Sequence, residues 1–309
     1  MKGRILKILR EQENKIVSGE ELSARLGISR VSIWKHINAL KELEYEIVSG
    51  PTGYQLTTSP DIPYSWEIPE FESLVHYFPE VGSTMDKARD MARQGCPHFT
   101  VVAAGAQTKG RGRLKRQWLS ASGGLYFTVV LKPEILAALS HRLNFAASYT
   151  LACTFREMFN IEAKVKWPND VLVNDAKLVG ILSELETESD MVGFVNIGIG
   201  INANNNTSSV DQKAASLKEL LGHEVSRKDI LARFLADFNR RLNHEDLEDI
   251  IGKWKEHNAT LGRNVRIVTM TQEIEGRAVD VDNDGALLLE LKSGELERIT
   301  YGDCFPTSA

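Results

Sequence analysis

The sequence predicts an α+β multidomain chain with a helical amino-terminal part, a large mixed body and a small β appendix. The chain has 309 residues, and domains of about 100–200 residues divide that length into two or three. Three helical patterns and a short hairpin occupy the first sixty residues, strand-like and helical runs mix after Phe71, and short alternating segments follow Leu261. Pro60, Pro63 and Pro69 punctuate the first junction. The expected boundaries are 1–60, 71–258 and 261–309.

Composition sets the outer limits. The chain is 42% hydrophobic and 26% charged with net charge −5, which excludes a disordered, collagen-like or uniformly basic protein. Any contact with nucleic acid must therefore be local. No apolar run approaches the roughly 20 residues that cross a bilayer, and Met1-Lys2-Gly3-Arg4 lacks the apolar stretch of a secretory signal, so a cytoplasmic protein without membrane contact is expected. Cys96, Cys153 and Cys304 are scattered without CxxC spacing, which disfavours a disulfide framework or a structural zinc site, and no metal ligand set is assigned.

In the amino-terminal part, Ser18-Gly19-Glu20-Glu21 reads as a capping box that opens a helix. Leu22 and Leu26 form its apolar face, Gly27 permits a sharp turn, and Ser29 caps a third helix with apolar positions Ile33, Ile37 and Leu40. That is helix-turn-helix spacing. Ile47–Val48, Ser49–Gly53 and Tyr54–Leu56 then form a hairpin, so the segment reads as a winged helix. With the apolar positions inward, Ser29, Arg30, Ser32, Lys35 and His36 become the candidate DNA contacts. A three-helix packing or protein-docking module is the alternative.

The body carries strand-like runs at Leu125–Leu131, Val171–Val173, Leu178–Leu185 and Phe194–Ile201, and helical patterns at Leu143–Phe159 and Lys228–Leu242. Between them lie three polar clusters. Gln107-Thr-Lys-Gly-Arg-Gly-Arg113 combines glycines that let a backbone approach a ligand with forked donors for carboxylate or phosphate, and Lys109, Lys115 and Arg116 add charge. Alone it reads equally as a solvated or RNA-contacting basic loop. Lys166-Trp-Pro-Asn-Asp170 is a turn bearing ionisable groups at a strand entrance, and Lys177 opens the next strand. By itself a lysine there reads as a solvated strand end. Gly198-Ile-Gly-Ile-Asn202-Ala-Asn204 lacks the GxGxxG ending of a dinucleotide site, and no GxxxxGK[ST] loop exists. Segments Val265–Thr269, Ile274–Val281, Ala286–Leu291 and Leu296–Thr300 suggest a small terminal β barrel.

Taken in order, Gly82-Ser83-Thr84, Gly110–Arg113, Lys166–Asp170, Lys177–Leu182 and Gly198–Asn202 resemble the biotin protein ligase family. Gly27–Arg30, Trp34–Ile37 and Gly53–Leu56 further resemble the two-function members that also repress biotin genes, so the likeness spans nearly the whole chain. The resemblance implies a catalytic domain like the class II aminoacyl-tRNA synthetases and an SH3-like terminal barrel. It implies formation of biotinyl-5′-adenylate from biotin and ATP with Mg²⁺, then transfer to a lysine of a biotin carboxyl carrier protein. Operator DNA and an adenylate-dependent homodimer are the further partners it implies.

Carried over by that likeness, Ser83, Thr84 and Gln107 border biotin, while Arg111, Gly112 and Arg113 form a loop closing over biotin and the adenylate. Lys177 stabilises the charge of activation, Trp118 covers the adenine, Asn169 and Asp170 orient ATP and metal, and Asn202 adds to the ligand site. Asp170 also assists the acceptor amine, and Ala215-Ser216-Leu217 belongs to a second loop. Catalysis is thereby assigned to Lys177, Arg113 and Asp170. Two positions depart from the family pattern: Met85, counted with the ligand-binding residues, stands at a common asparagine, and Lys115 stands at a glycine. A monofunctional ligase, a lipoate-type acyl ligase and a non-enzymatic ligand-sensing regulator are the competing readings.

Overall fold

A computed structural model describes residues 1–12, 15–208 and 213–307. The chain forms two compact units, Met1–Glu72 and Ser73–Ala309. In the first, α1 (Lys2–Glu11), α2 (Gly19–Leu26) and α3 (Arg30–Lys41) precede a hairpin of β1 (Glu46–Gly50) and β2 (Gly53–Thr58). Its core interleaves Ile5, Leu6 and Leu9 of α1 with Leu22 of α2 and Ile33, Ile37 and Leu40 of α3, the apolar spacing that defines these helices.

Local signals behave as their chemistry requires. Ser18 accepts from the Glu21 amide at 3.0 Å, whereas the Glu21 carboxylate lies toward Arg25 instead of closing a reciprocal box. Gly27 takes the left-handed conformation (φ 68°) that ends α2, and Ser29 accepts from the Ser32 amide at the start of α3. The segment after β2 packs with the helices. Trp66 donates to the Tyr45 hydroxyl, Tyr45 donates to Glu67, and Arg10 grips both Glu67 oxygens at 2.7 and 2.9 Å.

The second unit is built on a seven-stranded sheet of β3 (Val75–Val81), β4 (Thr100–Gln107), β5 (Leu125–Leu131), β6 (Lys164–Lys166), β7 (Asp170–Val173), β8 (Ala176–Glu188) and β9 (Met191–Ile201). Its order is β3-β4-β5-β9-β8-β7-β6, antiparallel except for the β3–β4 pair. Every residue of β5 is buried, which fits a central strand covered on both faces. α4 (Thr84–Arg93) covers one face through Ala88 and Ala92 against Val102, Val130 and Phe194. α5 (His141–Phe159) and α7 (Arg227–His244) pack together, and Phe127 of β5 meets Phe234 of α7 at 5.5 Å. α6 (Leu217–Leu221) and α8 (Ile250–Glu256) complete the helices.

The carboxyl end is a five-stranded antiparallel sheet of β10 (Asn264–Val268), β11 (Glu273–Val281), β12 (Leu287–Glu290), β13 (Leu296–Ile299) and β14 (Asp303–Pro306), ordered β13-β12-β11-β10-β14. It belongs to the same compact unit as the seven-stranded sheet. Trp167 donates its indole N–H to the Gly285 carbonyl at 3.0 Å, and Asp303 reaches the arginine loop. No helix among the described residues is long and apolar enough to cross a membrane.

Candidate active site

Segments distant in sequence converge on one cavity of about 440 Å³. Its walls come from the start of α4, the loop after β4, the Lys166–Asp170 turn, the start of β8, the glycines of β9 and the last strand, β14. Each assigned ligand residue, from Ser83, Thr84, Met85 and Gln107 through Arg111, Gly112, Arg113 and Trp118 to Asn169, Asp170, Lys177 and Asn202, lines it.

The loop is folded by its own backbone. Gly112 N donates to Arg116 O at 2.8 Å, Trp118 N to Gly110 O at 3.0 Å, and Arg116 N to Arg113 O at 3.0 Å. Leu114 and Lys115 adopt φ 50° and 61° in the bend. The position where lysine departs from the family's glycine thus holds a left-handed backbone, which costs a non-glycine residue on the order of 1–2 kcal/mol.

Carboxylates hold the loop's cations. Arg111 lies 2.9 Å from Asp86 and pairs with Glu184, and Arg89 bridges the same two acids. Arg113 donates to Asn169 Oδ1 at 3.2 Å, while Arg116 lies 2.6 Å from Asp303. Burial moves the Arg113 pKa below its ordinary value, with Asp303 and Asp170 opposing that shift. Arg111 thus already presents both terminal nitrogens to the oxygen pair of Glu184.

Across the cavity, Lys177 Nζ lies 2.7 Å from the buried Asp170, and Lys166 approaches the same carboxylate at 3.3 Å. Burial pushes the Asp170 pKa up, but the two ammonium groups outweigh it and the net displacement is downward. Asp170 is therefore an ionised anchor at neutral pH. Lys177 also stands 5.4 Å above the Trp118 ring, so the residue that reads alone as a solvated strand end is instead fixed within the site.

Trp118 lies on a floor made by two glycines. A Cβ on Gly180 would come within 2.7 Å of the indole, and one on Gly200 would strike its Nε1 edge. Both positions must be glycine for the ring to lie flat there. The indole N–H and the Ser83 hydroxyl are buried without a hydrogen-bond partner among the described residues, which leaves two polar groups for a ligand to satisfy. At the back, Gln107 Oε1 accepts from Thr84 N at 2.7 Å and from its hydroxyl at 3.0 Å, and Thr128 donates to that hydroxyl at 2.9 Å. Met85 is buried against Gly198. Asn202 donates to Lys177 O and accepts from Asn205.

Other assignments fall elsewhere. Ala215, Ser216 and Leu217 do not line the cavity: Ala215 N donates to Lys177 O, Ser216 caps α6 with Glu219, and Leu217 is buried. Their neighbour Ala214 does line it. In the first unit, Ser29 is exposed at the cap of α3, Arg30 and Lys35 are exposed on the helix, and Ser32 and His36 are half-buried.

Sequence reasoning missed Asp86, Glu184, Thr128, Asp303 and Phe305. Glu184 lies in the alternating stretch Ser183-Glu-Leu-Glu-Thr-Glu188, whose pattern gives no reason to single out one glutamate. Asp303 opens a four-residue strand too short to announce itself. Cys304 also lines the cavity, and burial pushes its thiol up to about 11, so it is no nucleophile at neutral pH.

Comparison with known proteins gives three matches along the chain: the Biotin/lipoate A/B protein ligase family over residues 77–202, an HTH domain over 3–55, and the Biotin protein ligase C terminal domain over 260–305. The bifunctional ligase/repressor BirA of Bacillus subtilis is 31% identical over 305 residues, 94% of each chain. Its Escherichia coli namesake is 29% identical over 283 residues, 88% of each. A solved biotin protein ligase from Aquifex aeolicus, in complex with biotin and ATP, superposes with a TM-score of 0.63 at 27% identity, covering 76% of this chain and 99% of that one.

Proposed function

Because the chain belongs to the biotin protein ligase family and matches bifunctional ligase/repressors over nearly its whole length, we propose that it makes biotinyl-5′-adenylate from biotin and ATP and transfers biotin to a lysine of a biotin carboxyl carrier protein. Its helix-turn-helix unit serves as a biotin-responsive transcriptional repressor. One observation carries the ligase reading: a cationic loop and Lys177 face each other across a single cavity with a buried, ionised Asp170 beside them.

In the first step a biotin carboxylate oxygen attacks the α-phosphorus of ATP and pyrophosphate leaves. Two anions must be held together, and Arg111, Arg113 and Lys177 supply the opposing charge. Asp170 keeps the Lys177 ammonium in place. Ser83, Thr84 and Gln107 form the polar end for biotin, and Trp118 offers its face to the adenine. Enclosure under the loop protects the mixed anhydride from water. In the second step the acceptor amine attacks the acyl carbon and AMP leaves, with the Asp170 carboxylate assisting loss of the amine's proton. No covalent enzyme intermediate is required.

No group of three His, Cys, Asp or Glu residues converges among the described residues, and Asp170 is paired to two lysines. The cavity thus fits Mg²⁺ carried on the triphosphate, where it would neutralise phosphate charge, better than a preformed metal cage. We read the catalytic body as class II synthetase-like, the terminal sheet as SH3-like, the hairpin as a wing and the boundaries as 1–60, 71–258 and 261–309. A cytoplasmic protein that dimerises on adenylate binding completes the proposal, since paired readers match paired half-sites.

The test is incubation with biotin, MgATP and a biotin carboxyl carrier domain, read by acceptor mass, with lipoate as the control acid. Mass gain with biotin supports the reading, and gain with lipoate alone refutes it. A gel shift with and without biotin plus ATP separates the bifunctional protein from a ligase whose helical unit does not regulate.

A further inference from the structure

The exposed face of α3 carries a feature that the candidate DNA contacts do not include. Val31 and Trp34 stand one turn apart and are 64% and 55% exposed, although helices usually turn such side chains inward. Ile33, Ile37 and Leu40 of the same helix are fully buried, so the core is complete without this pair. Two large apolar side chains side by side on a helix whose other exposed residues, Arg30, Lys35 and Lys41, are cationic mark an interaction site.

The surroundings specify the occupant. From Arg30 to Lys41 the helix contains no carboxylate, although the whole chain carries net charge −5. Arg30 and Lys35 flank the apolar pair and are exposed. The hydroxyls at the start of the helix are engaged: Ser29 accepts from the Ser32 amide at 3.2 Å, and the two side chains share a hydrogen bond at 3.0 Å. What projects freely is an apolar ridge bordered by cations.

Resting on the DNA-reading role proposed above, we infer that Val31 and Trp34 are the base-reading residues of α3 and that they recognise thymine methyl groups in the major groove. The C5-methyl of thymine is the apolar feature that a base edge displays in that groove. Residues three apart on a helix are separated by about 4.5 Å along its axis, and base pairs by about 3.4 Å, so the pair spans neighbouring steps. Arg30 and Lys35 contact phosphates and hold the helix in register, which carries no sequence information of its own. The partner is duplex DNA with adjacent A·T pairs in each half-site.

Random duplexes are selected against the full-length chain with biotin and MgATP, and the enriched duplex is titrated by fluorescence anisotropy. Each thymine is then replaced singly by deoxyuridine, which removes only the methyl group. Trp34→Ala is expected to weaken the enriched duplex about tenfold or more, and Val31→Ala about fivefold, while binding to unselected DNA changes little. Deoxyuridine at one or two positions should weaken the wild-type protein several-fold and leave Trp34→Ala unaffected. Melting temperatures and biotinylation rates should match wild type, because both side chains are exposed and lie outside the ligase cavity.

Equal binding of thymine and deoxyuridine duplexes, or unchanged affinity in both variants, overturns the inference while leaving DNA binding intact. Enrichment of no duplex removes the DNA-reading role and the ridge's assignment with it. A changed oligomeric state on sedimentation, with DNA affinity unchanged, makes the ridge a contact between copies and also overturns it.

Discussion

The ligase cavity and the exposed face of α3 are both cationic, yet they treat their charges in opposite ways. In the cavity, Arg111, Arg113, Arg116, Lys166 and Lys177 all meet carboxylates of the same unit. On α3, Arg30 and Lys35 meet none among the described residues. The difference follows from burial. A partly buried cation without a counter-ion loses its hydration with no compensation, whereas an exposed one keeps it. Small anionic ligands can therefore bind by exchanging partners within a preformed set of paired charges, while a polyanion binds by displacing loosely held counter-ions.

The largest expected effect attacks the neutralised side. Asp170→Asn leaves Lys166 and Lys177 without their buried counter-ion and should lower stability by roughly 3 kcal/mol in urea unfolding at pH 7. Because the folded pKa of Asp170 lies below its ordinary 3.8, this stabilisation is present above that value and is lost as pH falls through the folded pKa. The wild-type and variant curves should accordingly converge on acidification; a gap that persists at the acid end would contradict the ion-pair account.

Next comes the amine itself. Lys177→Ala should slow pyrophosphate release by about 100-fold or more with the circular dichroism spectrum preserved, and near wild-type turnover would remove its assigned role. The terminal strand offers a smaller effect. Asp303→Asn removes the carboxylate that orients Arg113 and Arg116 in the cavity, so KM for ATP should rise about fivefold while biotin affinity measured by calorimetry stays within about twofold. Equal losses for both ligands would mean that Asp303 only supports the fold.

The smallest effect tests the exposed side. Lys35→Ala should weaken DNA binding uniformly across sequences and reduce the slope of log K against log salt by about 1. Biotin affinity in the enclosed cavity should change far less over the same salt range. A salt dependence equal at both sites would erase the contrast drawn between them.

Much of this was legible from residues in order. Apolar spacing places α3 and α5, Ser18 and Ser29 start their helices, and Gly27 ends α2, since each signal acts over a single turn. The ordered motifs from Ser83 to Asn202 also name the residues that line one cavity. Tertiary structure alone decided which charges meet. Glu184 pairs with Arg111 across 73 residues, and Asp303 reaches Arg116 from the last strand, through contacts that no local pattern encodes. It likewise decided that Gly180 and Gly200 lie beneath Trp118, and that Val31 and Trp34 remain uncovered on α3. Backbone propensity is a property of neighbours in sequence, whereas neutralisation and exposure depend on which surfaces the fold brings together.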